Sequence, residues 1–391
     1  MNNFLARRRA ATRVTPRVTL LAALLAAMPA AVAHAAPVPS GATLYGDIDE
    51  YIGWIHSSSG AHVVGLNDGA ILRSRLGVRG VEDLGDGYGV TYTLEMGLNA
   101  DTGTGADTGR LFDRQSWVGL ATPVGELRVG RQNTEIFGIG GAIDYTERTT
   151  FGSLINSFGV PSRYNNDVSL RSARWHGLAV ALHAAPGEDT ATTHNPALYQ
   201  ASVDYQAGPW RVGYAGLLAR PDRATATVPD SVRYHNVYLD YHFARGTLYA
   251  AAVGSNNATN SSNGLTAASI LSNIGDRTNF FAGRDPNARR YFNIWQLSAD
   301  YRILPHWRVG ALVGRIRDTS GGAAGARGAN FGAFYDLSRR TTLYGFASRM
   351  RNERNGGFRF LSSAGPSANL TGVDVDGRTL TGLQLGILHR F

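Results

Sequence analysis

Apolar residues recur at every second position through most of this 391-residue chain. In residues 236–243, for example, the sequence NVYLDYHF places Val, Leu, Tyr and Phe at alternate positions. Such alternation is typical of β-strands that have one apolar and one polar face. No long stretch after the first 35 residues has the 3.6-residue spacing of an amphipathic helix. The sequence therefore predicts an all-β protein.

The connections between these segments alternate between short and long. Seven short polar turns fall near residues 82–87, 122–125, 172–177, 206–209, 244–246, 302–306 and 338–340. Eight longer segments, rich in Gly, Asn, Ser and Asp, cover about 57–69, 99–112, 132–165, 184–198, 219–234, 254–291, 315–328 and 350–378. Seven short and eight long connections require sixteen strands, each antiparallel to its neighbours.

The polar faces of these strands carry too many charges for a dry core. The charged positions are Asp47, Asp49, Arg73, Arg75, Arg79, Glu95, Arg114, Asp204, Asp240 and Asp300. Sixteen strands also close into a tube too wide for side chains to fill, and closure removes the open edges that a bilayer does not tolerate. The sequence therefore predicts a transmembrane 16-stranded antiparallel β-barrel with a water-filled lumen, short periplasmic turns and long external loops.

Aromatic residues near the strand ends support a membrane barrel, because such barrels carry aromatic girdles at both interfaces. The candidates are Tyr45, Trp54, Tyr92, Trp117, Trp175, Tyr205, Trp210, Tyr241, Phe243, Tyr301, Trp307 and Tyr344.

The first 35 residues have the three parts of a secretory signal peptide. Residues 1–17 carry five arginines and no acid, residues 18–33 are apolar, and Ala33-His34-Ala35 supplies small residues for cleavage. A membrane anchor is the alternative, but the apolar run is shorter than the ~20 residues that span a bilayer. We expect cleavage after Ala35, which leaves residues 36–391 as one barrel domain.

Several chemistries have no residues to support them. The chain contains no cysteine, and all 38 of its basic residues are arginine. Its ten histidines do not cluster at metal-ligand spacing, and no nucleotide loop or serine nucleophile elbow occurs. Five arginines of the leader inflate the net charge of +8, which is therefore weak evidence for nucleic-acid binding. We predict no cofactor, no metal, no nucleic-acid partner and no enzymatic activity, although inward His, Ser and Asp side chains leave a barrel enzyme open.

Six strings of this sequence resemble the trimeric general porins of Gram-negative outer membranes. They are TLYGDID (43–49), SRLGVRGVEDLG (74–85), LEMGLN (94–99), RLFDRQ (110–115), GELRVGRQ (125–132) and RYNNDV (163–168). The terminal Phe391, preceded by alternating apolar residues, resembles the signal that outer-membrane assembly machinery reads. The resemblance implies a homotrimer surrounded by outer-membrane lipid and lipopolysaccharide. The first and last strands would form the subunit contact, and loop two (99–112) would reach the neighbouring subunit.

The resemblance also implies a constriction inside the barrel. Arginines at Arg75, Arg114 and Arg163 match a cationic cluster of the family, and Arg73 shares the inward side of its strand with Arg75. The third loop, about 132–165, would fold inward and carry acids that face this cluster. The candidate acids are Glu135, Asp144 and Glu147 in this loop and Glu95 on the third strand. Alternatively, these arginines only solvate the wall or pair with neighbouring acids.

These features predict a passive diffusion channel for ions and small hydrophilic solutes across the outer membrane, with a weak anion preference. Two alternatives remain: a substrate-selective porin that binds a solute at its constriction, and a plugged surface receptor or adhesin. The long sixth loop, about 254–291, would be a solvated loop, a surface epitope or a phage receptor.

Overall fold

The computed structural model describes residues 40–186, 197–220, 232–256, 291–319, 321–361 and 369–391. The predicted leader (1–35) and most of the predicted sixth loop lie outside these residues. Within the described part of the chain, no helix is long and apolar enough to cross a membrane.

The described residues form eighteen strands in one antiparallel sheet whose ends meet. In chain order the strands are β1 Gly41–Ser57, β2 His62–Asp68, β3 Arg75–Gly85, β4 Tyr88–Asn99, β5 Thr104–Gly105, β6 Gln115–Thr122, β7 Gly125–Asn133, β8 Arg163–Ser172, β9 Leu178–Pro186, β10 Ala197–Ala207, β11 Trp210–Arg220, β12 Val232–Phe243, β13 Gly246–Ser255, β14 Phe292–Leu304, β15 Trp307–Asp318, β16 Ala326–Asp336, β17 Thr341–Asn352 and β18 Thr379–Arg390. Each barrel strand pairs with its neighbour, and β1 pairs with β18 to close the tube.

The barrel has sixteen positions, as predicted. β2 and β3 share one of them, because β2 pairs with one half of β1 and β3 with the other half. Residues 69–74 interrupt this shared strand. The two-residue β5 pairs only with β4, inside the second long connection, and is not part of the barrel wall.

The seven short turns lie where the sequence predicts them, and the described strands that flank seven of the eight long connections end in or beside the predicted segments. The first long segment, 57–69, was predicted wrongly. Only residues 58–61 form a turn there, and His62–Asp68 is strand β2. Val64 and Leu66 in this strand point outward like the apolar residues of β1 beside them.

The two faces of the strands are arranged as predicted. Ile52, Leu239 and Leu385 are exposed on the outside, whereas Asp49 and Asp240 are buried on the inside. Aromatic side chains are exposed near the short-turn ends; these are Trp175, Tyr205, Trp210, Phe243, Tyr301 and Trp307, and Tyr241 beside them is half-buried. Three predicted members of the girdle face the lumen instead. Tyr45 donates to Glu95, Tyr344 donates to Asp49, and Trp117 packs under the guanidinium of Arg128.

An apolar core occupies one side of the lumen, which the sequence does not predict. The third long connection places two short helices inside the barrel, α1 (Glu135–Gly138) and α2 (Leu154–Phe158). Phe158 of α2 contacts Tyr234 and Phe292 on the wall. The last long connection also enters, and its Phe358 packs against Phe158. Inward positions on this side are apolar because these two loops cover them.

Candidate functional site

The third long connection, residues 134–162, is held closely against the inner wall. Its neck closes through the Thr134 N–H, which donates to the Ser162 carbonyl at 2.9 Å. The Tyr145 hydroxyl donates to Asn330 at 2.5 Å, so the middle of the loop is also attached to the wall. We call this segment the constriction loop.

Asp144 belongs to this attachment and not to the lumen surface, which corrects its predicted place at the pore. Its carboxylate is fully buried and accepts hydrogen bonds from the Thr146 N–H at 2.9 Å and from Gln296 Nε2 at 2.8 Å. The side chain therefore shapes the loop and ties it to β14, and is not free to face a passing solute.

Arg75 and Arg114 lie together on the wall opposite the apolar core. Arg75 on β3 makes an ion pair with Asp47 at 2.9 Å, and its Nη1 lies 3.9 Å from Glu95. Arg114, immediately before β6, donates from Nε to Glu95 at 2.7 Å. Glu95 was expected to face these arginines across the pore. It stands between them because β4 pairs directly with β6, so its carboxylate is their neighbour on the same wall.

Arg163 and Arg148 extend this cluster through a shared aromatic ring. The guanidinium carbon of Arg163 lies 4.9 Å from the Phe137 ring centroid, and that of Arg148 lies 4.2 Å from it. Burial lowers the pKa of Arg148 to about 10, and the positive charges of Arg75 and Arg114 add to this shift while Asp144 opposes it. We call Arg75, Arg114, Arg148 and Arg163 the arginine wall.

Sequence reasoning did not select Arg148, because the loop was expected to bring acids to this point. A backbone signal accompanies it: Glu147 and Arg148 are consecutive non-glycine residues with positive φ, 55° and 67°. Such conformations are strained and send the two side chains apart. In this structure the loop supplies a cation to the arginine cluster.

Several guanidinium nitrogens of the arginine wall are buried and have no hydrogen-bond partner within the described residues. They are Nη1 and Nη2 of Arg114, Nε and Nη2 of Arg163, and Nε of Arg148. Glu95 and Asp47 are the carboxylates paired with this group. Asp144 also acts on Arg148, so four arginines against three carboxylates leave a formal excess of one positive charge.

The remaining predicted residues lie at three separate places. Arg73 lies in the interruption between β2 and β3, where it donates to Asn99 at 2.6 Å, and so does not stand on the strand with Arg75 as predicted. Glu135 pairs with Arg171 at 2.6 Å and contacts His183. Phe391 continues the pairing of β18, exchanging backbone hydrogen bonds with Gly46.

Glu147 faces a second group of arginines. It lines a cavity of about 590 Å³ near the short-turn end of the barrel, together with Arg245, Arg302, Arg308 and Arg390. Two carboxylates pair with members of this group: Asp336 with Arg302 at 3.3 Å and Asp300 with Arg308 at 3.2 Å. The two sides of the constriction loop therefore present charges of opposite sign, Glu147 on one side and Arg148 on the other.

Comparisons with known proteins agree with this architecture. Residues 20–355 match the model of a family described as Gram-negative porin. An outer membrane porin protein of Bordetella pertussis is 28% identical over 92% of this chain and 96% of that protein. The major outer membrane protein P.IB of Neisseria meningitidis serogroup A is also 28% identical, over 56% of this chain and 66% of that protein.

Solved structures share the fold at lower identity. The anion-selective porin from Comamonas acidovorans has a TM-score of 0.72 and 21% identity, covering 90% of this chain and 100% of that chain. OmpT of Vibrio cholerae in its trimer form has a TM-score of 0.61 and 13% identity, covering 90% of this chain and 100% of that chain. With a closed barrel of sixteen strands and a family model that matches most of its length, this chain belongs to the Gram-negative porins, the passive channels of the outer membrane.

Proposed function

We propose that this porin is a general diffusion channel that prefers anions over cations. The observation that carries the proposal is the arginine wall, with its excess of positive charge and its unpartnered guanidinium nitrogens. Rings of arginine favour anions in pores because they lower the electrostatic barrier for negative charge and raise it for positive charge. The anion-selective porin from Comamonas acidovorans, which shares the fold, supports the same direction.

The geometry supports selectivity by charge more than tight binding of a solute. Phe137 holds two guanidinium groups against one ring, and Glu95 holds a third, so the charges are fixed in position. A fixed charge beside a water-filled path acts on every passing ion without a change of shape. Ions and small hydrophilic solutes would pass down their gradients without energy coupling and without catalysis.

We also propose that the chain is made with a leader, residues 1–35, and assembles as a homotrimer. The trimer form of OmpT, whose fold is similar, supports this assembly. On β1 and β18 the outward side chains are large and apolar, including Ile48, Ile52, Leu383 and Leu385. These two strands would form the subunit contact, with loop two beside it, and Phe391 would serve as the assembly signal.

The anion preference is tested by the reversal potential of single channels under a potassium chloride gradient. We expect the wild-type potential to have the sign for chloride, and the double variant Arg75→Gln/Arg148→Gln to shift toward potassium. A charge about 6 Å from the ion path, acting through water, changes ion occupancy roughly threefold. The anion-to-cation permeability ratio should therefore fall several-fold for each arginine removed.

The matched control is Arg339→Gln/Arg340→Gln, which removes two exposed arginines from the short turn between β16 and β17. It changes the net charge equally but leaves the arginine wall intact. Equal shifts in both variants would contradict the proposal, because selectivity would then follow total charge and not the constriction.

A substrate-selective channel is the second candidate, favoured by the cavity that Glu147 and four arginines line. The four arginines that line this cavity fit a solute that carries carboxylate or phosphate groups. Saturable block of chloride current by such a solute, at concentrations well below the salt, would favour this candidate. A linear dependence of current on solute concentration would favour general diffusion.

A further inference from the structure

Two histidines lie directly opposite each other on the first hairpin of the barrel. The sheet register pairs His56 of β1 with His62 of β2. The turn that joins the two strands closes through the Ser57 N–H, which donates to the Ala61 carbonyl at 2.8 Å. In an antiparallel ladder, the residues next to a hydrogen-bonded pair form a non-hydrogen-bonded pair, with Cα atoms about 4.5 Å apart. The two imidazoles therefore share one face of the sheet at its closest cross-strand spacing. We call His56 and His62 the histidine pair.

The histidine pair faces outward at the long-loop end of the barrel. Ile52 on β1 and Val64 on β2 are exposed on the same faces of their strands, and both lie nearer to the middle of the wall. His62 is exposed and His56 is half-buried. The pair therefore lies beyond the outward apolar residues of its own strands, where ions from the external medium reach it.

The surroundings of the histidine pair fix its position but leave its ring nitrogens available. The tip of the hairpin is attached to the last long connection, because Ser59 Oγ donates to Asp374 at 2.6 Å. The ring of His56 stacks on Trp54, with centroids 5.7 Å apart and planes at 17°. Neither imidazole makes a hydrogen bond or an ion pair with another described residue. Two oriented imidazoles without polar partners are typical of a site for an external ligand.

We propose that the histidine pair binds one divalent transition-metal ion, with water completing the coordination. Neutral imidazole is the commonest protein ligand for metals such as Zn²⁺, Cu²⁺ and Ni²⁺. Bonds of about 2.0–2.1 Å to one ion hold two ring nitrogens about 3 Å apart. Directly opposed Cβ atoms are about 4.5–5.5 Å apart, so the two rings need only lean toward each other to reach this spacing.

The pair supplies two ligands and not a complete coordination shell. Within the described residues, no three His, Asp or Glu side chains come together in a way that could hold a metal. We therefore expect the site to follow the general order of nitrogen ligands, in which Cu²⁺ binds more tightly than Ni²⁺ or Zn²⁺. The sequence does not predict the pair, because the hairpin and not the spacing along the chain brings the two residues together. The inference is independent of the anion preference.

The experiment titrates Cu²⁺ into purified, untagged protein in detergent and records its electron paramagnetic resonance spectrum. We expect the wild-type spectrum to show coupling to two ligand nitrogens. Two ligands on one scaffold bind about 10²–10⁴ times more tightly than either ligand alone. His56→Gln and His62→Gln should therefore each bind Cu²⁺ about 100-fold more weakly than wild type does.

His306→Gln is the matched control, since it removes an exposed histidine from the short turn between β14 and β15. It should bind Cu²⁺ as wild type does, and the mobility of the unheated barrel checks that each variant is folded. Wild-type affinity in either pair variant would overturn the proposal, and so would an equal loss of affinity in His306→Gln. A wild-type spectrum without two nitrogen ligands would overturn it even if a pair variant failed to fold.

Two further measurements locate the ion. Bound Cu²⁺ would lie beside Trp54 and quench its fluorescence, so Trp54→Phe should lose this quenching and still bind Cu²⁺. Ca²⁺ prefers oxygen ligands and should not displace Cu²⁺ from imidazoles. Displacement by an equal concentration of Ca²⁺ would assign the ion to carboxylates and would contradict the histidine site.

Discussion

A single buried histidine joins the constriction loop to the barrel wall. His183 Nδ1 lies 2.7 Å from Asp167, and its Nε2 lies 3.2 Å from Glu135, the first residue of α1. Glu135 also pairs with Arg171 at 2.6 Å. Burial raises the pKa of Glu135, but the hydrogen bond from His183 and the charge of Arg171 outweigh burial, so the pKa is below its usual value. The ionised carboxylate is therefore the form that holds the loop.

The pH dependence follows from the sign of this shift. The pKa of Glu135 is lower in the folded protein than in the unfolded chain, where it is near 4.3. The ionised carboxylate therefore stabilises the folded loop at pH values above 4.3. This stabilisation is lost as the pH falls through the pKa of the folded protein. We expect the open-channel current of wild type to be quiet at pH 7 and to become noisy below about pH 4. Glu135→Gln should be noisy already at pH 7 and nearly independent of pH. Glu82→Gln, on the exposed β3 end, is the control, and a quiet Glu135→Gln channel would contradict the role of this contact.

At the scale of the element, the constriction loop depends on inward glycines that leave room for its aromatic rings. A Cβ at Gly310 would clash with ring carbons of Tyr145, and a Cβ at Gly382 would clash with Phe151. Both glycines lie on strands whose turns the sequence predicts. The rings that contact them, Tyr145 and Phe151, belong to a loop that is distant in sequence. The alternation of residues along a strand therefore does not reveal why glycine occupies these two positions.

The same limit explains which parts of the site were predictable. Arg75 could be placed inward because the side chains of a strand alternate, and this requires only local sequence. The place of Glu95 required knowing that β4 and β6 are neighbours, and that of Asp144 required the path of the loop. The direction of the Arg148 side chain follows from a positive φ, which the residue type does not predict. Periodicity thus predicts the wall, and packing between distant segments decides the site.

Replacing Gly310 with alanine tests how closely the loop must fit. The added methyl group would push Tyr145 away from the wall and weaken its hydrogen bond to Asn330. Such overpacking costs about 1–3 kcal/mol. We expect a lower thermal midpoint for the folded barrel, together with additional sub-conductance levels in single-channel records.

Gly254→Ala is the matched control for this substitution. It also lies in a strand, β13, but its new methyl group would meet only the Asn293 side chain, at an ordinary distance of 3.8 Å. If Gly310→Ala and Gly254→Ala have the same midpoint and the same conductance levels, the fit between Tyr145 and the wall does not control the loop.

At the scale of the whole molecule, the lumen is divided into two unlike halves. The constriction loop and the last long connection cover β14 and β15 with an apolar core, while β3, β4 and β8 carry the charged wall. The sequence predicts a water-filled lumen and an inward-folded third loop, but not the apolar core that forms where these loops bury the wall beside them. Sixteen strands give the width, and the loops decide how much of it holds water.

The proposed trimer concerns the outside of the barrel. Leu385 on β18 is 72% exposed and Leu297 on β14 is 51% exposed in the single chain. In a trimer that uses β1 and β18, Leu385 would contact a neighbouring subunit, whereas Leu297 would contact lipid. Glutamate at either position costs a similar amount in lipid, so a difference between Leu385→Glu and Leu297→Glu reports the subunit contact. Native mass spectrometry should find wild type and Leu297→Glu at three times the mass of residues 36–391, and Leu385→Glu largely as a monomer. Trimers in both variants would place the subunit contact elsewhere on the barrel.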